Sequence, residues 1–166
     1  MGAKRMSIYL IIALLLALLA VPSLASAKAT VKHCLGVEIF DDVISVGDWT
    51  FPDGNIHVRG RTSRYLEQMD CEETSGTNIV TMNANWDANY AGPIWGTSLL
   101  TTPYALGGVW STTWHGKTFP DGTFYYKAVG RGVSGSVEGL KIRVYAYGSM
   151  GGPTFVEVTI LDPHRN

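Results

Sequence analysis

From residue 28 to residue 166 apolar side chains never recur with a sustained helical period. They alternate with polar ones, or gather in short β-branched runs bounded by Gly, Pro, Asp and Asn. That is the pattern of strands joined by turns. It predicts eight strands, at 37–45, 56–66, 77–85, 94–101, 108–114, 123–129, 140–147 and 154–161. Eight strands of this length suit an all-β fold built as a single antiparallel eight-stranded barrel. Strict alternation on the seventh places Ile142, Val144 and Ala146 inside and Arg143, Tyr145 and Tyr147 outside, because a slip of one residue would turn Arg143 into the core. On the last strand Val156, Val158 and Ile160 form the inward set. Helix is expected only as a short turn, at 86–90 or 65–70.

One pentapeptide occurs twice. Thr50-Phe51-Pro52-Asp53-Gly54 returns as Thr118-Phe119-Pro120-Asp121-Gly122, each time just before a predicted strand. Both copies read as turns: Pro presets the first central φ, Asp bonds back to the local backbone, and Gly takes the positive φ. The reading is of two equivalent hairpin entries in a barrel of two related halves. Neither copy has the spacing of a calcium loop.

The N-terminus changes the picture of where this domain works. Lys4 and Arg5 precede an apolar run from Ile8 to Ala20, and Ala25-Ser26-Ala27 follows Pro22. This is the layout of a secretory signal peptide, residues 1–27, cleaved after Ala27 to leave a β-barrel domain at 28–166. An uncleaved anchor helix is the competing reading, since 8–25 is just long enough to span a bilayer. Of the 13 basic and 14 acidic residues, cleavage removes Lys4 and Arg5 alone, leaving 11 against 14. A net-acidic domain carries no nucleic-acid footprint. The expected location is secreted, periplasmic or otherwise extracytoplasmic, with membrane contact confined to the signal peptide. In that compartment Cys34 and Cys71 pair as a disulfide. Closing a loop of about 36 residues stabilises a fold by 3–4 kcal/mol in the chain-entropy model. A metal site from His33, Cys34, Cys71 and Glu72 or Glu73 lacks the close ligand spacing of zinc motifs.

Catalytic signatures are scarce. Gly130-Arg131-Gly132-Val133-Ser134-Gly135 matches the dinucleotide fingerprint in letters, but that motif must open a helix, and 140–145 alternates like a strand. A glycine-rich hairpin or bulge is the better reading. No nucleophile elbow, zinc-protease motif or C-x-x-C occurs, and His33, His57, His115 and His164 show no ligand spacing. The acids Asp41 and Asp42, and Asp70, Glu72 and Glu73, read as solvated turns. No metal and no cofactor is expected.

Three segments together resemble a known group. Val109-Trp110-Ser111-Thr112-Thr113-Trp114-His115-Gly116 with Phe119-Pro120-Asp121-Gly122, the glycine-rich stretch 130–140, and Val158-Thr159-Ile160-Leu161-Asp162-Pro163 are similar to small, mostly uncharacterised β-barrels. That group is similar to the allene oxide cyclase and dirigent barrels, and more distantly to calycins such as lipocalins and avidins. The resemblance spans roughly 55–163. It implies a barrel fold and transfers no catalytic residue to this chain.

The candidate ligand site follows from the aromatic residues. Trp49, Trp86, Trp95, Trp110 and Trp114, with Tyr104, Tyr125 and Tyr126, either fill a core, line a cavity or form a stacking platform. Trp110 and Trp114 lie four apart on one strand and share a face. His57, Arg59 and Arg61 alternate on another; the preferred reading keeps Ile56 and Val58 inside and the three basic residues in solvent, since unpaired buried arginines are expensive. With reversed parity they would form an anion pocket. The expected function is binding of a small hydrophobic molecule against Trp110, Trp114, Tyr125 and Tyr126, with His57 and Arg59 as polar anchors. A cofactor-free cyclase or isomerase, and a structural or surface-interaction protein with a packed barrel, are the alternatives from other classes. An open apolar lumen favours binding, convergent polar groups at its base favour the cyclase, and a packed lumen favours the structural role.

Overall fold

The computed structural model describes residues 29–103 and 107–163. The signal-peptide reading, Tyr104 and His164 lie outside them. Nine strands follow one another: β1 Thr30–Ser45, β2 Asp48–Thr50, β3 Ile56–Met69, β4 Gly76–Trp86, β5 Gly92–Thr102, β6 Gly108–Thr118, β7 Thr123–Gly135, β8 Lys141–Ser149 and β9 Thr154–Asp162. Each predicted strand lies largely within one of these. β3 to β9 pair with their neighbours in antiparallel order, and the long β1 pairs β9 through its first half and β3 through its second. The result is a closed antiparallel barrel of eight strands, with β2 as a short continuation of β1 along the edge of β3. Closure leaves no long unpaired edge.

The local chemistry of the turns explains the connections. In the 118–122 copy of the repeat, Asp121 Oδ1 accepts from the Thr123 amide and hydroxyl, and Gly122 takes φ +81. In the 50–54 copy, Asp53 itself joins Gly54 in the left-handed region, within a 3-10 turn at Pro52–Gly54. The copies precede β3 and β7, which stand four strands apart around the barrel. No helix forms at either expected position: 65–69 continues β3, and Asp87 gathers 87–91 into a tight loop by accepting from the amides of Asn89 and Ala91. The glycine-rich 130–135 segment is the bulged end of β7, entering a hairpin to β8.

Loops at 51–55, 87–91, 119–122 and 150–153 make one end of the barrel; those at 70–75 and 136–140 make the other. The second end is plugged by a 3-10 turn, Glu72–Thr74, which the Cys34–Cys71 disulfide ties to β1. Trp110, fully buried, donates its indole N–H to the Glu73 carbonyl at 2.7 Å and anchors the plug from inside. On β8 and β9, Ile142, Ala146, Val156, Val158 and Ile160 are buried, and Arg143, Tyr145 and Tyr147 face out, as alternation requires. The core forms two apolar clusters. One surrounds Trp110 near the plug; the other holds Ile56, Val58, Trp86, Ile94 and Trp114; Tyr126 and Val144 touch both.

Candidate functional site

Between these clusters the lumen is hollow. A cavity of about 860 Å³ runs from the plug, where Thr74 and Trp110 are buried, to the opposite rim, where exposed Trp49, Tyr90 and Met150 line its mouth. This is within the range of small-molecule sites. Val80, Met82, Ile94, Leu100 and Val144 supply apolar wall, and Trp114 lies tilted against Tyr126 with ring centroids 5.6 Å apart. The space for the Trp114 ring comes from its cross-strand partner Gly96, where a Cβ would sit 2.9 Å from the indole and still closer to the Thr81 carbonyl.

From β4 to β9 the inward residues are even-numbered throughout; β3 breaks the rule. Ile56 and Val58 point inward, then a bulge at Arg59 and Gly60 shifts the register, and Arg61, Ser63, Tyr65 and Glu67 line the cavity. Gly60 takes φ +69, open to a residue without a side chain, and its amide is held by Asn83 Oδ1 at 3.1 Å. His57 and Arg59 therefore face outward, whereas Arg61, expected beside them, enters the lumen. Arg59 clips the outer wall: its guanidinium donates to the carbonyls of Val58 and Ala84 and to Asn85 Oδ1, each at 2.7 Å, and covers the Trp95 ring.

The remaining candidates divide. Trp110, Trp114 and Tyr126 line the cavity together. Tyr125 faces outward against Phe119. Cys34 and Cys71 are bonded to each other, which removes them as metal ligands although Asp70 lies beside them. The acid runs are structural: Arg64 pairs with Asp41 and Asp42, Lys32 with Glu73, and Asp70 accepts the Leu35 amide.

The polar centre of the lumen is a set that sequence reasoning missed. Glu38 on β1 and Glu67 on β3 are direct cross-strand partners, both buried, both inside. Asn78 on β4 bridges them, its amide donating to Glu67 Oε1 at 2.9 Å and to Glu38 Oε2 at 3.3 Å. From across the barrel the Tyr126 hydroxyl reaches Glu38 at 3.4 Å. Burial raises the Glu38 carboxyl, against the opposing pull of hydrogen bonds from Glu67, Asn78 and Tyr126. Burial and the neighbouring Glu38 charge hold Glu67 well above the ordinary carboxylate range. Two buried carboxyls this close disfavour a second negative charge and titrate as a pair. Burial and both acids likewise push the Tyr126 phenol far up, so it stays a donor. Three buried polar atoms find no partner among the described residues: the acceptors Glu67 Oε2 and Asn78 Oδ1, and the donor Trp114 Nε1. The legible signal was a lone acid inside each apolar run, Leu35-Gly36-Val37-Glu38-Ile39-Phe40 and Tyr65-Leu66-Glu67-Gln68-Met69.

Fold and site together define a closed eight-stranded β-barrel with a hollow, acid-bearing lumen. The chain matches no protein-family model and no curated protein by sequence. Among the described residues no helix is long and apolar enough to cross a membrane, and the disulfide fits an oxidising compartment.

Proposed function

We propose that this barrel binds a small, largely apolar molecule in its lumen, in an extracytoplasmic setting that the export signal and the disulfide both support. The observation that carries the reading is the 860 Å³ cavity, walled by aliphatic and aromatic side chains and reaching one rim. Apolar walls contribute roughly 25 cal/mol per Å² of ligand surface covered, enough for micromolar affinity after association costs. Kinship with the allene oxide cyclase and dirigent barrels belongs to this proposal.

Tryptophan emission titrated with fatty acids, terpenoids and aromatic lipids tests it, because Trp114 and Trp86 line the cavity. A saturable change is expected, weakened by Val144→Trp, which fills the lumen. No saturable response to any of the panel would leave a purely structural barrel ahead. The Glu38, Glu67 and Tyr126 cluster favours a second reading, a cofactor-free isomerase or cyclase, in which the carboxyl pair moves a proton on the bound molecule and the apolar walls exclude water. Recovery of a bound compound with altered connectivity and unchanged mass would establish it.

A further inference from the structure

The carboxyl pair lines the cavity, and among the described residues no basic side chain is bonded to it. Hydrophobic walls make its charge expensive, and only a shared proton and the donors of Asn78 and Tyr126 offset that cost. Of the three unpartnered buried atoms in the cavity wall, the two at the pair, Glu67 Oε2 and Asn78 Oδ1, are oxygens that can accept, whereas the third, Trp114 Nε1, is a donor. In the orientation that lets its nitrogen serve both acids, Asn78 leaves its oxygen unpartnered. A ligand group that satisfies this end must bring several hydrogens and, to hold both carboxylates ionised, a positive charge. An ammonium does so: it has three N–H donors and no acceptor. The rings of Tyr126 and Trp114 add faces that favour a cation.

We propose that the lumen selects amines: a primary ammonium on an apolar or aromatic body, seated with its nitrogen between Glu38, Glu67 and Asn78. This rests on the lumen being a ligand site at all. Binding exchanges one cation for another. The ammonium enters, the proton shared by Glu38 and Glu67 leaves to solvent, and the pair passes from one negative charge to two. The titratable and charged groups facing the pair are Tyr65 and, farther along β3, Arg61, together with Tyr126 from β7; β4 contributes the neutral Asn78, and β1 contributes Glu38 itself. Burial raises the Tyr65 phenol, and Arg61 pulls it down against that larger rise.

The test uses the disulfide-bonded domain and three probes sharing one body: 2-(1-naphthyl)ethylamine, 2-(1-naphthyl)ethanol and 3-(1-naphthyl)propanoate. Calorimetric titration at pH 7.5 in two buffers of different ionisation enthalpy counts protons. The amine is expected to bind at least tenfold more tightly than the alcohol and to release close to one proton, whereas the alcohol releases none. Amine affinity should fall as pH drops from 8 to 5 and alcohol affinity should stay level. Glu67→Gln and Glu38→Gln should each abolish the preference and the proton release, with the near-ultraviolet circular dichroism signal showing that the variants fold. Equal binding of amine and alcohol, or amine binding without proton release, overturns the amine site and leaves lumen binding standing. Tighter binding of the propanoate overturns it in favour of recognition at Arg61. Failure of all three probes overturns both readings.

Discussion

Glu67 sits in an environment far from what its side chain prefers. Its carboxyl is buried, faces a second acid on the next strand, and has one oxygen with no protein partner. Because its folded-state pKa lies above its unfolded value, protonation favours the folded form. The stability it lends is complete below the unfolded carboxylate pKa and is lost as pH rises through the raised folded one. Glu67→Gln removes that titration and keeps an oxygen to accept from Asn78. We expect the variant to match the parent near pH 4 and to exceed it at pH 8 by about 1–3 kcal/mol, the cost of an uncompensated buried polar group. Thermal melts from pH 4 to pH 9 would show it; parallel curves would mean that folding does not raise the Glu67 carboxyl. At the same scale, Gly96→Ala should destabilise severely, because its methyl would strike the Thr81 carbonyl as well as the Trp114 ring. A melting temperature within two or three degrees of the parent, roughly 1 kcal/mol for a domain this size, would contradict the close packing described.

At the scale of the element, β3 decides what the lumen contains. Its first two inward residues, Ile56 and Val58, are apolar; the next four, Arg61, Ser63, Tyr65 and Glu67, are not, before Met69 returns to the apolar core. The change happens at Gly60, where the positive φ lets one extra residue bulge out. Gly60→Ala meets no steric clash, yet an L side chain in that conformation costs about 1–2 kcal/mol. Urea unfolding should detect a loss of that size with an unchanged m-value. A neutral outcome would show that the bulge tolerates another conformation. β8 provides the contrast, since its alternation runs without interruption and Ala146 is fully buried. Ala146→Asp should prevent folding, observable as loss of the near-ultraviolet circular dichroism signal.

For the whole molecule, the plugged end and the mouth have different mechanical support. The plug is held by the Cys34–Cys71 disulfide and by the Trp110 bond to Glu73. Replacing both cysteines with serine should cost about 3–4 kcal/mol from the freed loop, read as a lower melting temperature that reductant no longer shifts further. The strands, the inward rows of β8 and β9, the two repeat turns and the cysteine pairing were legible in the chain, because alternation, turn chemistry and compartment act over a few residues or need only a count. Three things were decided only by the tertiary structure. The bulge at Gly60 reversed the parity of β3, which separated Arg61 from His57 and Arg59, and a single glycine in a strand-like run does not announce which way the register shifts. Pairing of β1 with β3 closed the barrel and set Glu38 opposite Glu67, a contact between distant segments that no local period encodes. Whether the aromatic residues fill the lumen or line it depends on strand tilt and on how eight inward rows meet across the barrel, and that volume exists only once the sheet has closed on itself.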